Sequence, residues 1–366
     1  MTKWTTLAAV AVMLAVLPTA ASAAPSLGDL VGIQAQGELG SQDLKLIRDY
    51  SAEMLARLKK ADNYADIEKA RKALVSGYGA KGDSTNYQMA YAKSLAQQAV
   101  VWLKDDMPLK SVKQANLAMV PSEARIDQIN IQPLLEALIR LDNPAARYWT
   151  AKAYRQAAKA LLAQGGQTAS RLLADLEAAG RRETSGAAFA QILLSLRPIG
   201  DLAPAQNLAL QAIFDKLWLA RLDRLEAGDP EFILAYGRVL SQVSAVFPEP
   251  AQAIQLIADA AEAATIGLTK KPPDPSALAE LVRELERQLR TLSGQQALTP
   301  LAEALTGTAI DEAKALKARI DFNAKWKPVL AGMKVNVRYI PSAPATSTKP
   351  ATGSAPAATT TAGKGG

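Results

Sequence analysis

Three pairs of neighbouring carboxylates are the residues in this chain whose types could carry out catalysis. They are Asp105 with Asp106, Glu284 with Glu286, and Asp311 with Glu312. Two carboxyl groups with different pKa values can serve as general acid and general base, as in the cleavage of glycosidic bonds. All six side chains fall where exposed helix residues are predicted, so the sequence favours solvated charges over a catalytic site.

Histidine and cysteine, which carry much of the remaining chemistry of proteins, are both missing. The 366 residues include no His and no Cys. The lack of Cys excludes disulfides, thiolate zinc sites and thiol nucleophiles. The lack of His removes the commonest metal ligand and the commonest general base near neutral pH. These absences leave carboxylate pairs, Ser–Lys and Tyr as the groups that could still catalyse a reaction. We predict that the protein is not an enzyme and that it uses no cofactor or metal.

One glycine-rich stretch invites comparison with a phosphate-binding loop. From Gly77 to Thr85 the chain reads Gly-Tyr-Gly-Ala-Lys-Gly-Asp-Ser-Thr. A phosphate-binding loop needs Gly-Lys followed directly by Ser or Thr, and it follows a strand. Here the Lys is followed by Gly-Asp, and the preceding segment has helical periodicity. We interpret the stretch as a loop between two helices.

The spacing of apolar residues predicts helices along most of the chain. Apolar residues make up 49% of the sequence and aromatic residues only 5%, which suits helices packed closely through Ala and Leu. Ser41 is predicted to cap the first helix, a second begins near Asp62, and a third carries Tyr87 and Trp102. Residues 24–40 are rich in Gly and are predicted to be irregular.

The stretch from Asp142 to Tyr154 has the clearest local signature. Asn143 is a good N-cap and Pro144 suits the first helical position. An apolar stripe follows at helical spacing, formed by Ala146, Trp149, Ala153, Ala157 and Leu161. The stretch resembles the first helix of a HEAT repeat, in which a loop Asp or Asn precedes Pro, a small residue, Arg and aromatic residues. The resemblance implies an α-solenoid, with Arg147 near a loop acid such as Asp142 or an acid of the adjoining unit.

Cap residues then recur along the chain. They are Asn143, Thr184, Asp229 and Asp274, at intervals of 41, 45 and 45 residues. Each interval is divided again by a Gly or Pro break, and two helices per interval of this length fit HEAT or armadillo units. The predicted fold class is therefore all-α, an α-solenoid of HEAT-like helix pairs with an N-terminal helical cap and a disordered C-terminal tail.

The last predicted repeat helix has two contrasting faces. Its apolar stripe is formed by Leu278, Leu281, Val282, Leu285, Leu289 and Leu292. Its opposite face carries charges of both signs, namely Arg283, Glu284, Glu286, Arg287 and Arg290. Burial of each Leu contributes roughly 1.5–3 kcal/mol, whereas an exposed pair such as Glu286 with Arg290 adds only a few tenths of a kcal/mol. We expect packing, not charge, to hold this helix.

Positive charge is concentrated near the C-terminus. Between Lys314 and Arg338 there are seven basic residues and one acid, Asp321. The basic residues are Lys314, Lys317, Arg319, Lys325, Lys327, Lys334 and Arg338. They could meet an anionic envelope polymer or a membrane surface, or they could be a solvated helix end. From Met333 to Tyr339 apolar and polar residues alternate, which predicts a strand, an extended segment along the helices, or a site for pairing with another chain.

Five parts follow from these patterns. They are a signal peptide (1–23), an N-terminal helical cap (24–107), HEAT-like repeats (108–308), a basic helix with a short extended segment (309–340), and a tail of Pro, Ala and Thr (341–366). The tail cannot bury a core and is predicted to be disordered. We expect an exported, periplasmic or extracellular binding or scaffold protein that recognises a protein partner through its solenoid surface. The alternative is a protein that binds or degrades an envelope polymer such as peptidoglycan; no nucleic-acid partner is expected.

The first residues have the pattern of a secretory signal. Lys3 precedes an 11-residue apolar run, Leu7 to Leu17, which is too short to span a bilayer. Pro18 breaks the run, and Ala21-Ser22-Ala23 fits the small-x-small cleavage pattern. An uncleaved membrane anchor is the alternative. Cleavage would leave no stable membrane span, and the lack of Cys then points to a periplasm or exterior.

Intact-mass measurement of the exported protein tests this interpretation. We expect the mature chain to begin at Ala24, because the break at Pro18 and the small residues before Ala24 favour removal of the leader. A mature chain that still begins at Met1 would contradict cleavage and would favour the anchor.

Overall fold

The computed structural model describes residues 24–79, 83–307 and 309–341, and every regular element in them is a helix. The all-α prediction is therefore confirmed. The predicted signal peptide, and the predicted tail beyond Pro341, lie outside the described residues. The chain divides into two compact units, Met1–Phe214 and Asp215–Gly366.

Helices of the first unit follow one another with short connections. They are α1 (Leu27–Gln34), α2 (Ser41–Lys60), α3 (Tyr64–Gly77), α4 (Thr85–Trp102), α5 (Lys110–Glu123), α6 (Gln132–Ile139), α7 (Pro144–Ala163), α8 (Gly166–Arg182) and α9 (Gly186–Ser195). A 3-10 turn, Ile129–Ile131, precedes α6. Helix α10 (Pro204–Ala220) contains the boundary between the units.

The helices of the first unit pack in two rows. Helices α3, α5, α7 and α9 each contact the next in that order, and α2, α4, α6 and α8 do the same. The rows are joined by packing of α2 on α3, α6 on α7 and α8 on α9. Each of these eight helices therefore packs against a helix two elements away, and several also pack against their neighbour in sequence.

Helices of the second unit vary more in length. They are α11 (Leu222–Glu226), α12 (Pro230–Leu240), α13 (Val243–Val246), α14 (Pro250–Thr269), α15 (Pro275–Ser293), α16 (Pro300–Ala304), α17 (Glu312–Asp321) and α18 (Lys327–Gly332), with a π turn, Phe322–Trp326, before α18. Helix α14 is central, because it contacts α11, α15 and α17. A Cβ added to Gly267 of α14 would lie 2.5 Å from the carbonyl oxygen of Leu225 in α11, so these two backbones nearly touch.

Three of the four predicted caps are confirmed. The side chain of Asn143 accepts a hydrogen bond from the N–H of Ala146 (3.2 Å), Asp229 caps α12, and Asp274 caps α15. Thr184 was the wrong residue for the fourth, because α9 follows Ser185 and has no side-chain cap. The N–H groups of Thr184 and Ser185 instead donate to the Glu183 carboxylate, 2.9 Å away in each case.

The N-terminal segment also differs from expectation. Residues 24–40 were predicted to be irregular, yet they include α1. Ser26 and Asp29 form a reciprocal capping box at its start, which satisfies donors that a short, glycine-containing helix would otherwise expose. Leu30 and Ile33 are buried. Likewise, Gly40 rather than Ser41 is the N-cap of α2.

The segment Met333–Tyr339 is not the predicted strand. In the described part of the chain no strand lies beside it, and it lies instead against α14. Val335 is buried and Val337 and Tyr339 are half-buried, whereas the residues between them are exposed. The alternation in the sequence therefore reflects contact with helices on one side, which imposes the same period of two as a half-buried strand.

Substitutions in α15 test the balance of forces in the second unit. Leu285 is fully buried and Arg287 is exposed. Loss of a buried Leu side chain costs about 2–5 kcal/mol, and an unpaired buried carboxylate costs more. We expect Leu285→Asp to abolish cooperative melting of this unit. Arg287→Ala should shift its stability by less than about 0.5 kcal/mol. Equal shifts in thermal denaturation would contradict this assignment.

Candidate binding surfaces

Arg147, the basic residue of the stretch that resembles a HEAT repeat, lies in a buried ion pair. Its Nε is 2.5 Å from Oε2 of Glu183 and its second terminal nitrogen is 2.8 Å from Oε1. It also donates to the carbonyl oxygen of Leu141 (2.6 Å) and lies 3.6 Å from Asp142. The hydrogen bonds that Arg147 donates to Glu183 raise the pKa of the guanidinium. Asp142, the loop acid expected near Arg147, and Glu183 therefore both lie beside the guanidinium, which joins α7 to the segment before α9.

Tyr148 and Trp149 form a partly exposed aromatic patch on α7. Both side chains are half-buried, so Trp149 does not lie fully in the core as its place in the apolar stripe predicted. Their rings meet edge to face with centroids 5.4 Å apart. The ammonium of Lys152 lies 4.6 Å from the centre of the Trp149 ring. Aromatic rings beside a cation at a surface are typical of contacts with another molecule.

Most of the basic C-terminal residues are paired inside the second unit. Lys317 and Lys325 pair with Asp321, and Arg319 and Lys327 pair with Glu262. Lys314 donates to two backbone carbonyl oxygens, both 2.7 Å away. Arg338 pairs with Asp215 and Asp259. The concentration of positive charge in the sequence is therefore matched, in space, by acids from α10, α14 and α17.

Helix α14 carries two carboxylates, Asp259 and Glu262, in an otherwise apolar stretch. Both side chains are almost completely buried. Glu262 is paired by cations of α17 and of the first turn of α18, whereas Asp259 is paired by a segment beyond the last helix. Burial raises the pKa of the Asp259 carboxyl, and hydrogen bonds from Arg338 oppose that shift. Asp259 therefore depends on a segment outside the helices, whereas the cations that pair with Glu262 lie on helices.

The segment that pairs with Asp259 makes an unusual set of contacts. Its backbone N–H groups at Arg338 and Tyr339 both donate to Oδ1 of Asp259, at 2.6 and 3.2 Å. The side chain of Gln255 donates to the carbonyl oxygen of Asn336. The Tyr339 hydroxyl donates to the buried carboxylate of Glu226. Side chains of α14 therefore bind the main chain of a segment without regular secondary structure, and Glu226 of α11 binds its Tyr339 side chain.

Glu286 does not lie on the exposed face predicted for it. It is 1% exposed, and its two oxygens accept hydrogen bonds from the N–H groups of Leu301 (2.8 Å) and Ala302 (2.7 Å). The indole N–H of Trp326 donates to it as well (2.8 Å). Arg290, its predicted partner, contacts the backbone of Gln296 instead. The carboxylate caps the first turn of α16, which explains how a charge is tolerated there.

The six acids of the three candidate catalytic pairs lie in different environments. Asp106, Asp311 and Glu312 are exposed, and Asp105 and Glu284 are half-buried. Glu286 is fully used in capping. Among the described residues no group of three acids could hold a metal ion. A surface cavity of about 340 Å³ lies between α2 and α3, lined by apolar residues and by Arg57, Lys60, Asp66 and Lys69. None of these polar groups is buried as a catalytic residue would be.

Comparison of the chain with protein-family models, with curated proteins and with solved structures finds no match. Within the described residues, no helix combines the length and the apolar character needed to cross a bilayer. The contacts described above are therefore the basis for any functional assignment.

The sequence around Asp259 indicates a buried ion pair, although the helical periodicity does not. Asp259 and Glu262 are the only charged residues between Ala253 and Ala264. Charged groups are almost never buried unless they are paired. Two acids in such an apolar run therefore predict cations brought from elsewhere in the chain, although the sequence does not say which ones.

Removing the Arg147 side chain should be strongly destabilising. Arg147→Ala leaves Glu183 as a buried carboxylate without its cation, and breaking a buried pair in this way costs about 3–5 kcal/mol. Arg147→Lys should recover only part of that loss, because Lys lacks the bidentate fork. Arg181→Ala, in an exposed pair with Glu177, is the control and should cost less than about 1 kcal/mol. Chemical denaturation measures all three, and equal losses for Arg147→Ala and Arg181→Ala would refute a structural role for the buried pair.

Proposed function

We propose that this chain is an exported, non-catalytic binding or scaffold protein that recognises a protein partner through an α-solenoid surface of HEAT-like helix pairs. The proposal rests on one observation, the two rows of helices in the first unit. Helices two apart contact each other along each row, and hairpins join the rows. Stacked pairs of this kind present long, continuous faces rather than a closed pocket, and such faces suit polypeptide partners.

The aromatic patch on α7 is the part of that surface best suited to a partner. Tyr148 and Trp149 are packed against each other and half-buried, so little side-chain entropy remains to be lost on binding. Tyr and Trp are enriched among the residues that dominate binding energy at protein interfaces. Lys152 beside Trp149 adds a positive charge, which favours a partner with an acidic or aromatic contact residue.

An anionic envelope polymer is the weaker candidate. Binding of such a polymer through the basic C-terminal residues would require free cations along one surface. Five of the seven are in ion pairs with Asp321, Glu262, Asp259 or Asp215. Their charge is largely neutralised within the protein, so we favour a protein partner.

Site-specific photo-crosslinking in the native envelope tests the proposal. A benzoylphenylalanine at position 148 should yield a discrete crosslinked protein, because Tyr148 lies in the patch. The matched control is the same substitution at Tyr64, an aromatic residue that is 70% exposed on α3 of the same unit. Trp149→Ala should reduce crosslinking from position 148 at least about tenfold, the loss expected for an interface anchor.

Identical crosslinks from positions 148 and 64, or none from 148, would refute the patch as a protein-binding surface. Retention of the wild-type melting temperature by Trp149→Ala would show that any lost crosslink reflects binding and not unfolding. Crosslinks to polysaccharide in place of protein would favour the polymer alternative.

A further inference from the structure

Three carboxylates of the second unit converge on one short segment of the chain. They are Asp215 on α10, Glu226 on α11 and Asp259 on α14, which we call the acidic face. The segment is Val335–Tyr339, and each carboxylate contacts Arg338 or Tyr339. The acidic face therefore receives the segment as a binding site receives a ligand, through side chains that converge on it.

Two features of the acidic face are specific for an extended backbone. Gln255 binds the carbonyl oxygen of Asn336, and Asp259 binds the N–H of Arg338. Positions four apart on a helix are separated by about 6 Å along its axis, and two residues of an extended chain advance about 6.6 Å. The spacing of these side chains on α14 thus matches the repeat of an extended polypeptide.

Other contacts select the side chains. The guanidinium of Arg338 lies between Asp259, 2.8 Å away, and Asp215, 2.7 Å away. A bidentate Arg–carboxylate pair is geometrically specific, and Lys does not replace it. Tyr339 reaches Glu226 through its hydroxyl, and Val335 is 4% exposed against the helices. The preferred ligand is therefore an extended segment with an apolar residue three positions before an Arg-Tyr pair.

The segment lies outside the helices of the second unit. It follows the end of α18, and residues 331–334 are exposed. Lys334 has a positive φ of 61°, a conformation that is unfavourable for a residue with a Cβ. The Arg338 and Asp215 side chains retain 35% and 32% exposure. Backbone hydrogen bonds to Leu330 and Ala331 end at Val335, so beyond it the segment is held by the side-chain contacts described above.

We propose that the acidic face is a receptor site for an extended Arg-Tyr segment, and that the segment of a second copy of this chain can replace the resident one. The second copy is the occupant whose chemistry is already known to fit. Replacement in both directions links two chains by the same contacts that each makes alone. This proposal concerns the second unit and is independent of the partner proposed for α7.

The resident segment should mask the site from ligands in solution. A tethered ligand has an effective concentration of about millimolar, so a free copy at micromolar concentration competes poorly. Weakening the resident segment at Arg338 should therefore expose the acidic face, because the receptor carboxylates remain intact. Loss of Asp259 should abolish binding in either case.

A fluorescent peptide with the sequence of residues 332–341 is the probe, and anisotropy with the full mature chain is the measurement. We expect the Arg338→Ala chain to bind the peptide at least about tenfold more tightly than the wild type. Adding Asp259→Asn to that chain should remove at least about tenfold of the affinity. The peptide that carries Arg338→Ala is the ligand control and should bind at least about tenfold more weakly, since it lacks the guanidinium. The Lys334→Ala chain is the receptor control and should match the wild type.

A second measurement avoids weakening the resident segment. The chain has no Cys, and Ile340 is 84% exposed, so Ile340→Cys gives a single site for an environment-sensitive dye. Millimolar unlabelled peptide should displace the labelled segment and change the emission, whereas the peptide with Arg338→Ala should not. The proposal is overturned if a folded Arg338→Ala chain fails to bind the peptide. Binding that is unaffected by Asp259→Asn, or an unchanged emission at millimolar peptide, would overturn it as well.

Discussion

Mutual covering of helices is the constraint on which the rest of this structure depends. A single helix hairpin built mainly from Ala and Leu exposes one apolar face, and that face is removed from water only when another hairpin packs on it. The two rows of the first unit satisfy this requirement, because each helix contacts neighbours two elements away. In the second unit α14 packs against α11, α15 and α17, and 14 of its 20 residues are buried.

Buried carboxylates join helices and segments that are distant in the sequence. Glu183 receives Arg147 together with two backbone N–H groups, and Glu286 receives two N–H groups and an indole. Asp259 receives an Arg and two N–H groups from a segment outside the helices. A carboxylate can be removed from water only with several donors around it. The donors show which elements must pack together: Glu286 and Asp259 are paired by elements later in the chain, whereas the cation beside Glu183 comes from the earlier helix α7.

Sequence periodicity predicted most of the helices correctly. It did not predict the burial of side chains whose partners are distant in the sequence. Caps at Asn143, Asp229 and Asp274 are local chemistry and were correct. Glu286 was assigned to the solvent face because its neighbours in α15 are charged, and only the arrival of α16 and Trp326 explains its burial. Alternate residues of 333–339 are more buried, as the period of two predicted. The period indicates which side of the segment is buried, but it does not distinguish packing against helices from pairing with a strand. The ion pairs of Arg338 span 79 and 123 residues, so the local pattern around Asp259 indicates that a cation is needed but not which one.

The close approach of α14 to α11 limits which substitutions this sequence can accept during evolution. At Gly267 even a methyl group would collide with the carbonyl oxygen of Leu225. The two helices can therefore approach this closely only because glycine has a hydrogen atom in place of a side chain. Core positions filled by Leu or Ile tolerate exchange when total volume is kept, but no compensating exchange of side chains can make room against a backbone oxygen. Among descendants of this gene, position 267 should remain glycine long after the surrounding aliphatic residues have been replaced.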